Sequence, residues 1–406
     1  MSQPLHGFLA DTWWYAMTAR LTDENFRKLT ALRVSQGFSA AQLVVGIPPE
    51  TTPDNPNAAS PVGPAWTDTG EFNPRYLGFA RERIKHMNRA GLSAIVYGAW
   101  GPQINWLGTG RMTDWWREVI KATNDLDVIY CLTGESGLQI SWQDLSSKPG
   151  KAEWLRTLEK QFGRSRLTSR IANRLLQRTR LVQKRRRSWS QVLQQVANST
   201  DKPILVHPTT QYSGFDCVDN PRLLAANTAQ TGHTAQSRPK LHRLPLAHAA
   251  SKDPAGRGFI NLEPWYEGIL NQFYGVDQLY AYWVSMLAGA ISYCYGAHGI
   301  WNAGDGSFLA HWGGQTFSQA LELDTPRLIG LSHQIYRPFI DHQAAVTIQE
   351  KDDVLVSIQR KCGSNTLTFL PEIELTAALP PGKLWLPMEG RFADQLPTHG
   401  QVVIIS

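Results

Sequence analysis

The sequence predicts an α/β protein: a (β/α)₈ TIM barrel with a small C-terminal antiparallel β-domain. Three observations carry that prediction. Eight short apolar runs recur over the first ~340 residues, mostly separated by segments of helical period. The runs end in polar and aromatic residues, as barrel strands do where they open onto a mouth. From about residue 343 the texture changes to short strand-like runs parted by Gly, Asp, Asn and Pro. The boundaries are placed at 1–342 for the barrel and 343–406 for a sandwich-like β-domain.

The first run, HGFLAD, ends at Asp11, with Trp13 and Trp14 just beyond. Thr22 opens the helix NFRKLTALRVSQ, with Asn25 three residues on and Gly37 as its stop. FSAAQLVVG is the second run. The loop after it, IPPETTPDNPNAASPVGPAWTDTG, is rich in Pro, Asn and Thr, and a structureless stretch of that length usually covers a site. A helix around YLGFARERIKHMNRAG ends at Gly91, and the third run, LSAIVYGAW, reaches Trp100. A helix carrying Trp115 and Trp116 precedes the fourth run, DVIYCLTGE, which ends at Glu135. An insert of about residues 143–199 separates it from the fifth, PILVHP, with His207. The sixth, NTAQTGH, holds Gln230 and His233. The seventh, GFINLEPW, holds Glu263, with Tyr266 beyond it. The helix DQLYAYWVSMLAGA leads to the eighth, ISYCYGAHGIW, with His298 and Trp301. In the tail, AAVTIQE, DVLVSIQRK, TLTFLPE, KLWLPM and QVVIIS read as strands.

Composition narrows the function classes. Hydrophobic content of 42% and charged content of 18% describe an ordinary globular chain, though fifteen Trp is high, and such chains often bind flat apolar faces such as sugars. The four cysteines form no CxxC pair, which argues against a zinc site or a disulfide scaffold. The N-terminus has no basic start with an apolar run and cleavage site, and no stretch of about eighteen apolar residues occurs. A cytoplasmic protein without a membrane span is the expectation. The net charge of +6 conceals a local feature: residues 151–187 hold thirteen Lys or Arg against two Glu, so the rest of the chain is net acidic.

Chemistry concentrates at the strand ends. Glu135 on run four and Glu263 on run seven fall on opposite sides of a barrel mouth. A carboxylate walled by Pro264, Trp265 and Tyr266 loses hydration, which is costly unless it is used or paired. Two opposed carboxylates in unlike environments supply what hydrolysis of a glycosidic bond requires: one protonated to donate to the leaving oxygen, one ionised to attack the anomeric carbon. A gap of about 5–5.5 Å gives retention and about 6.5–9.5 Å inversion, and the sequence leaves both open. Structural readings stand beside these: a buried ion pair for Glu263, a helix-capping turn for Glu135, and a supporting or solvated role for Glu267. Asp11, Trp13, Trp14, Trp100, His207, Gln230, His233, Tyr266, His298 and Trp301 are candidates to hold a substrate. His207 either bonds it or fastens a strand end, and the tryptophans either stack on it or fill the core. No HxH or HExxH spacing supports a metal, no GxGxxG or GxxxxGK[ST] loop supports a nucleotide cofactor, and no GxSxG elbow supports a serine hydrolase. The expectation is no metal and no cofactor.

The fragments FLADTWWYAM, SQGFSAAQLVV, LTGES, VHPTTQYSG, NTAQTGH, NLEPWYEGI and YGAHGIW together resemble the apiosidase-like glycoside hydrolases, family 140 and its uncharacterised relatives. The resemblance covers roughly residues 5–340, and EPWYEG is its most specific piece. It implies a (β/α)₈ barrel with a small β-domain, Glu263 as nucleophile, and an acid/base carboxylate at the end of strand four. There the family's usual residue is Asp in a Gly-Gly-Asp turn, whereas this chain has Gly134-Glu135. Gln230 and His233 match its Gln-x-x-His, and His298 to Trp301 its strand-eight motif. It thus implies a retaining glycosidase. Short, walled-in strand ends add an exo-acting pocket for the terminal sugar of an oligo- or polysaccharide. The insert departs from the family: Arg170, Arg174 and Arg178 form a cationic stripe. It reads either as solvated helices or as a recruiting surface for an anionic glycan or membrane, with nucleic acid disfavoured for want of a recognition motif. A non-catalytic carbohydrate-binding protein, and a transglycosylase or accessory enzyme of bacterial surface polysaccharide metabolism, are the alternative functions.

Overall fold

The structure, a computed structural model, describes residues 5–136, 180–210, 212–340, 344–375 and 379–406. Eight strands form one parallel sheet: β1 (Leu9–Trp13), β2 (Ala40–Val44), β3 (Ser93–Tyr97), β4 (Val128–Cys131), β5 (Ile204–Leu205), β6 (Asn227–Gln230), β7 (Phe259–Glu263) and β8 (Ala290–Cys294). They follow the eight apolar runs in order, and their residues are buried throughout, as expected of strands covered on both faces. β1 pairs with both β2 and β8, which curls the sheet into a barrel. Between β5 and β6 the circle is completed without a named ladder: the Ala225 N–H donates to Ile204 at 2.8 Å and the Thr228 hydroxyl to the Val206 carbonyl.

Helices pack outside: α1 (Asp23–Ser35), α2 (Pro74–Ala90), α3 (Ile104–Thr123), α4 (Arg180–Ala197), α5 (Lys240–Ser251), α6 (Gly275–Leu287), α7 (Phe317–Leu321) and α8 (Thr325–Tyr336). The predicted signals act where expected. The Thr22 hydroxyl accepts from the Asn25 N–H at 3.2 Å, and Gly91 ends α2 in the left-handed region at φ 98°. α4 is amphipathic, burying Trp189, Val192, Leu193 and Val196 while Arg180, Lys184 and Arg187 stay exposed. Arg170, Arg174, Arg178 and most of the basic segment lie outside the described residues. Among the described residues no helix is long and apolar enough to cross a membrane.

The tail forms one six-stranded antiparallel sheet from β9 (Ala345–Lys351), β10 (Val354–Cys362), β11 (Asn365–Leu370), β12 (Lys383–Leu386), β13 (Arg391–Ala393) and β14 (Val402–Ile405), in the order β13-β12-β14-β11-β10-β9. β13 has no counterpart among the predicted runs, because RFA is too short to show alternation. The sheet lies against α6 and α8. Phe369 stacks on Trp283 at 6.4 Å, Arg360 donates to the Leu287 carbonyl at 3.2 Å, and the Trp385 indole donates to Ser332 at 3.4 Å.

Asp11 marks a difference from the sequence reading. β1 runs on to Trp13, so Asp11 is mid-strand. Successive strand side chains alternate faces. Thr12 therefore turns into the barrel, where the Gln42 amide donates to its hydroxyl at 2.9 Å, while Asp11 and Trp13 turn out towards α1. There Asp11 pairs with Arg33 at 2.6 Å, both side chains fully buried, and accepts from the Trp13 indole at 2.7 Å. Trp13 packs edge-on against Phe26. Removing one member of a buried pair leaves an uncompensated charge, typically at a cost of about 3–5 kcal/mol. Asp11→Ala is expected to lower stability by about that amount in urea unfolding, and pairing it with Arg33→Met to restore most of the loss. A substrate-binding role would instead weaken binding and leave unfolding unchanged.

Candidate active site

The C-terminal ends of the strands surround a pocket of about 440 Å³, its open mouth included. Its lining is Trp14, Pro49, Glu50, Trp100, Glu135, Gln230, His233, Glu263, Tyr266, Ile269, Trp301 and Trp312. Seven of the ten non-glycine residues with positive φ among the described residues sit in loops at this end: Glu50, Glu135, Leu270, Asn271, Phe273, Ala303 and Leu309. Strained backbone of this kind persists only where the surroundings over-determine it.

Local sequence explains how each carboxylate is aimed. Gly134 is bridged to Trp100, and a Cβ at Gly134 would come within 2.2 Å of the Trp100 ring. Only glycine lets that indole lie flat on the strand end. Glu135 follows in the left-handed region at φ 46°, and its Oε2 accepts from the Trp100 indole at 2.9 Å. On the opposite side, the β6–β7 ladder shifts register between Ala229 and Gln230, which sets Gln230 beside Glu263. Such an irregularity re-aims a side chain next to a site.

Gln230 then joins the two acids. Its Nε2 donates to Glu263 Oε1 at 2.6 Å and to Glu135 Oε1 at 3.2 Å. His233 Nε2 lies 2.8 Å from Glu263 Oε1. The Tyr266 N–H donates to His233 Nδ1 at 3.4 Å, so the imidazole proton belongs on Nε2, where it donates to Glu263. The Tyr266 hydroxyl accepts from the Trp14 indole at 3.0 Å and hydrogen-bonds Glu263. Burial and the Glu263 charge push that phenol far up, so it stays neutral.

The two acids are driven in opposite directions. Burial, then the Glu263 charge, pushes Glu135 up to about 7, against the lowering effect of the Trp100 and Gln230 bonds. Burial would also raise Glu263, but the His233 hydrogen bond, the neighbouring imidazoles and the Gln230 bond outweigh it and hold Glu263 below the usual carboxylate range. Burial pushes His207 down to about 4, so that ring is neutral at pH 7, and the His233 hydrogen bond leads in holding Glu263 down.

Most of the predicted residues meet here: Glu135, Glu263, Trp14, Trp100, Gln230, His233, Tyr266 and Trp301 line the pocket. His207 stands behind it, fully buried, 3.5 Å from Glu263 and stacked under Trp14. His298 does not line it: it packs edge-on against Trp301 and under Gly313, and burial pushes it down to about 4. Asp11 and Trp13 are absent from it because β1 turns them outwards. Glu267 is buried as a tie, accepting from Tyr295 at 2.5 Å and Thr325 at 2.7 Å. The sequence reading missed Pro49, Glu50, Ile269 and Trp312; the long loop after β2 was the signal for the first two. Among the described residues no group of three or more His, Cys, Asp or Glu has an arrangement that could hold a metal.

The profile of the apiosidase-like catalytic domain matches residues 7–335. The chain belongs to the apiosidase-like family. It is a glycosidase. Among solved structures, this apiosidase-like chain is similar to a protein described as a glycoside hydrolase, at 12% identity, covering 98% of this chain and 92% of that one, with a TM-score of 0.70. It is also similar to a family 5 glycoside hydrolase from Bacteroides vulgatus, at 13% identity, 98% and 88% coverage and a TM-score of 0.69. A GH5_18 protein from Streptomyces cattleya, in complex with Manb1-4GlcNAc, is similar at 12% identity, 81% and 80% coverage and a TM-score of 0.52. At these identities the likeness is one of fold. No curated protein matches the chain.

The raised acid gives the apiosidase-like chain a pH-dependent stability. Folded Glu135 keeps its proton up to about pH 7, whereas the unfolded side chain releases it near 4.5. Between those values only the unfolded state loses a proton, so stability falls as pH rises through that window. The full effect would be about 3 kcal/mol, an upper bound because Glu135 keeps some contact with solvent. Glu135→Gln is expected to stabilise the protein at pH 8 and leave it nearly unchanged at pH 4, as read from melting temperatures at the two pH values.

Proposed function

We propose that this glycosidase is retaining and exo-acting, releasing a terminal sugar from an oligo- or polysaccharide through a glycosyl-enzyme on Glu263. The observation that carries the reading is the shared Gln230 nitrogen. With contacts of 3.2 and 2.6 Å on one atom, the two carboxylate oxygens lie no more than the sum, 5.8 Å, apart. That supports the retaining range of about 5–5.5 Å over the inverting range of about 6.5–9.5 Å, in which the wider gap houses a water between the base carboxylate and the anomeric carbon.

In the first step Glu263 attacks the anomeric carbon while Glu135 gives its proton to the glycosidic oxygen, and the C–O bond breaks. The charge on Glu263 vanishes in the ester, so one cause of the raised Glu135 pKa goes with it. Glu135 then becomes a better-ionised base, takes a proton from water, and the water oxygen displaces Glu263 with the configuration restored. Trp14, Trp301 and Tyr266 offer aromatic walls for the sugar. The loops after β2 and β8 meet over the pocket where Trp312 donates to Glu50 at 2.7 Å, which supports a blind pocket and exo action.

A panel of aryl glycosides tests the reading. Glu263→Gln is expected to lower kcat by about four orders of magnitude with the fold intact. The first-formed product should keep the anomeric configuration of the substrate by NMR, and an inverted product would refute retention. The profile of kcat/KM against pH should fall above about 7, where Glu135 loses its proton, and fall on the acid side only below the ordinary carboxylate range, where Glu263 gains one.

A further inference from the structure

Glu50 is a third carboxylate on the pocket wall, and the two-carboxylate chemistry has no step for it. It sits in the long loop after β2, in the left-handed region at φ 61°. An L-residue held there costs energy unless the position is fixed by something else. What fixes it comes from the far side of the mouth. The Trp312 indole donates to Glu50 Oε1 at 2.7 Å, and His311 Nε2 stands 3.4 Å from Oε2. The arm that carries these two residues is itself pinned at its start. Arg20 donates to the Ala303 carbonyl at 3.1 Å, pairs with Asp305 at 2.9 Å and lies over the Phe308 ring. Pro49, the neighbour of Glu50, is held through its carbonyl by the Tyr15 hydroxyl at 2.5 Å.

From this arrangement we infer that Glu50 is a specificity-determining residue, binding hydroxyl groups of the terminal sugar at the closed rim of the pocket. The inference deepens the proposed glycosidase reading and rests on it for the location of the sugar. An ionised carboxylate has about four accepting directions. Trp312 occupies one and His311 stands near Oε2, which leaves accepting directions for donors inside the cavity. A saccharide offers pairs of neighbouring hydroxyls, each a donor, and a carboxylate takes such a pair on its two oxygens. The bond to the Trp312 indole places the carboxylate at the edge of an aromatic face that lines the same pocket. A ring stacked on that face carries its outward hydroxyls to the same edge. The side chain is 31% exposed, open enough to meet a ligand yet pre-set in one orientation, so little freedom is lost on binding.

Binding, rather than turnover, tests this. Affinities for a panel of methyl glycosides of common pyranoses and pentofuranoses are measured by calorimetry in a Glu263→Gln background, with and without Glu50→Ala or Glu50→Gln. Glu50→Ala should weaken the best-bound sugar by about tenfold to a hundredfold, the usual range for a charge-assisted hydrogen bond. Glu50→Gln, which keeps the Trp312 bond, should weaken it less. Singly deoxygenated analogues of that sugar that lack the recognised hydroxyls should bind alike to the chain that keeps Glu50 and to the Glu50→Ala variant. Equal affinity of all three chains for every sugar, or no sugar bound by any of them, would overturn the inference. Circular dichroism and melting temperature check that each variant folds. Glu50-dependent binding by a wild type that hydrolyses none of the glycosides would sustain this inference and sink the catalytic one.

Discussion

One side-chain amide sets the chemistry of this barrel. The Gln230 nitrogen reaches both acids, so their separation is fixed by one group instead of by the sum of two loops. Much of the local structure serves that contact: the register shift that brings Gln230 beside Glu263, the glycine that lets Trp100 lie against strand four, and the left-handed turn that aims Glu135 back into the pocket. The amide also divides its strength unequally. Its shorter bond goes to Glu263, which has other donors and stays ionised, and its longer bond to Glu135, where it and the Trp100 indole do not offset burial and the opposing charge. Two like groups in one cavity thereby acquire unlike protonation.

An arrangement of this kind is unfavourable on its own, since it gathers charge, buried polar groups and strained backbone in a small volume. The compensation lies in the layers beneath. Trp14, Tyr97 and Trp100 pack as a cluster around His207, with ring centroids 4.8–6.2 Å apart. Below them the strands are buried on both faces and the outer layer is tied by contacts such as Asp11–Arg33. The rigid part of the protein is the barrel wall, and the irregular part is carried on it.

The barrel was legible in the sequence because each strand is a short apolar run closed by a turn signal, and because Thr22 and Gly91 are unambiguous helix ends. Most of the pocket was legible for a related reason: a charged or aromatic residue directly after a buried run has few places to go other than the mouth. Asp11 shows where this logic fails. The strand continues two residues past Asp11, so Asp11 is mid-strand and the pleat sets the face it looks out from. Apolar runs do not fix strand ends to that accuracy, so Asp11 and Trp13 were assigned to the pocket when they belong to the outer layer. Glu50 and Trp312 were missed for a different reason. They come from long loops after β2 and β8, are 262 positions apart, and meet only because the barrel brings those loops together. No local pattern encodes such a meeting. Helices α5 and α8 were likewise unmarked, since Pro245 breaks the apolar stripe of one and Gly330 that of the other.

The burial of α6 reaches beyond the barrel. Every residue from Gln278 to Leu287 is buried, although a helix on the outside of a barrel ordinarily shows one side to water. The missing side is roofed by β10 and β11 of the tail, with Trp283 against Phe369 and Tyr280 beside it. The family match stops at residue 335, ahead of that roof. A chain trimmed to the matched span would expose a ribbon of Tyr and Trp side chains, which favours aggregation. The smallest unit worth expressing on its own is therefore larger than the catalytic barrel.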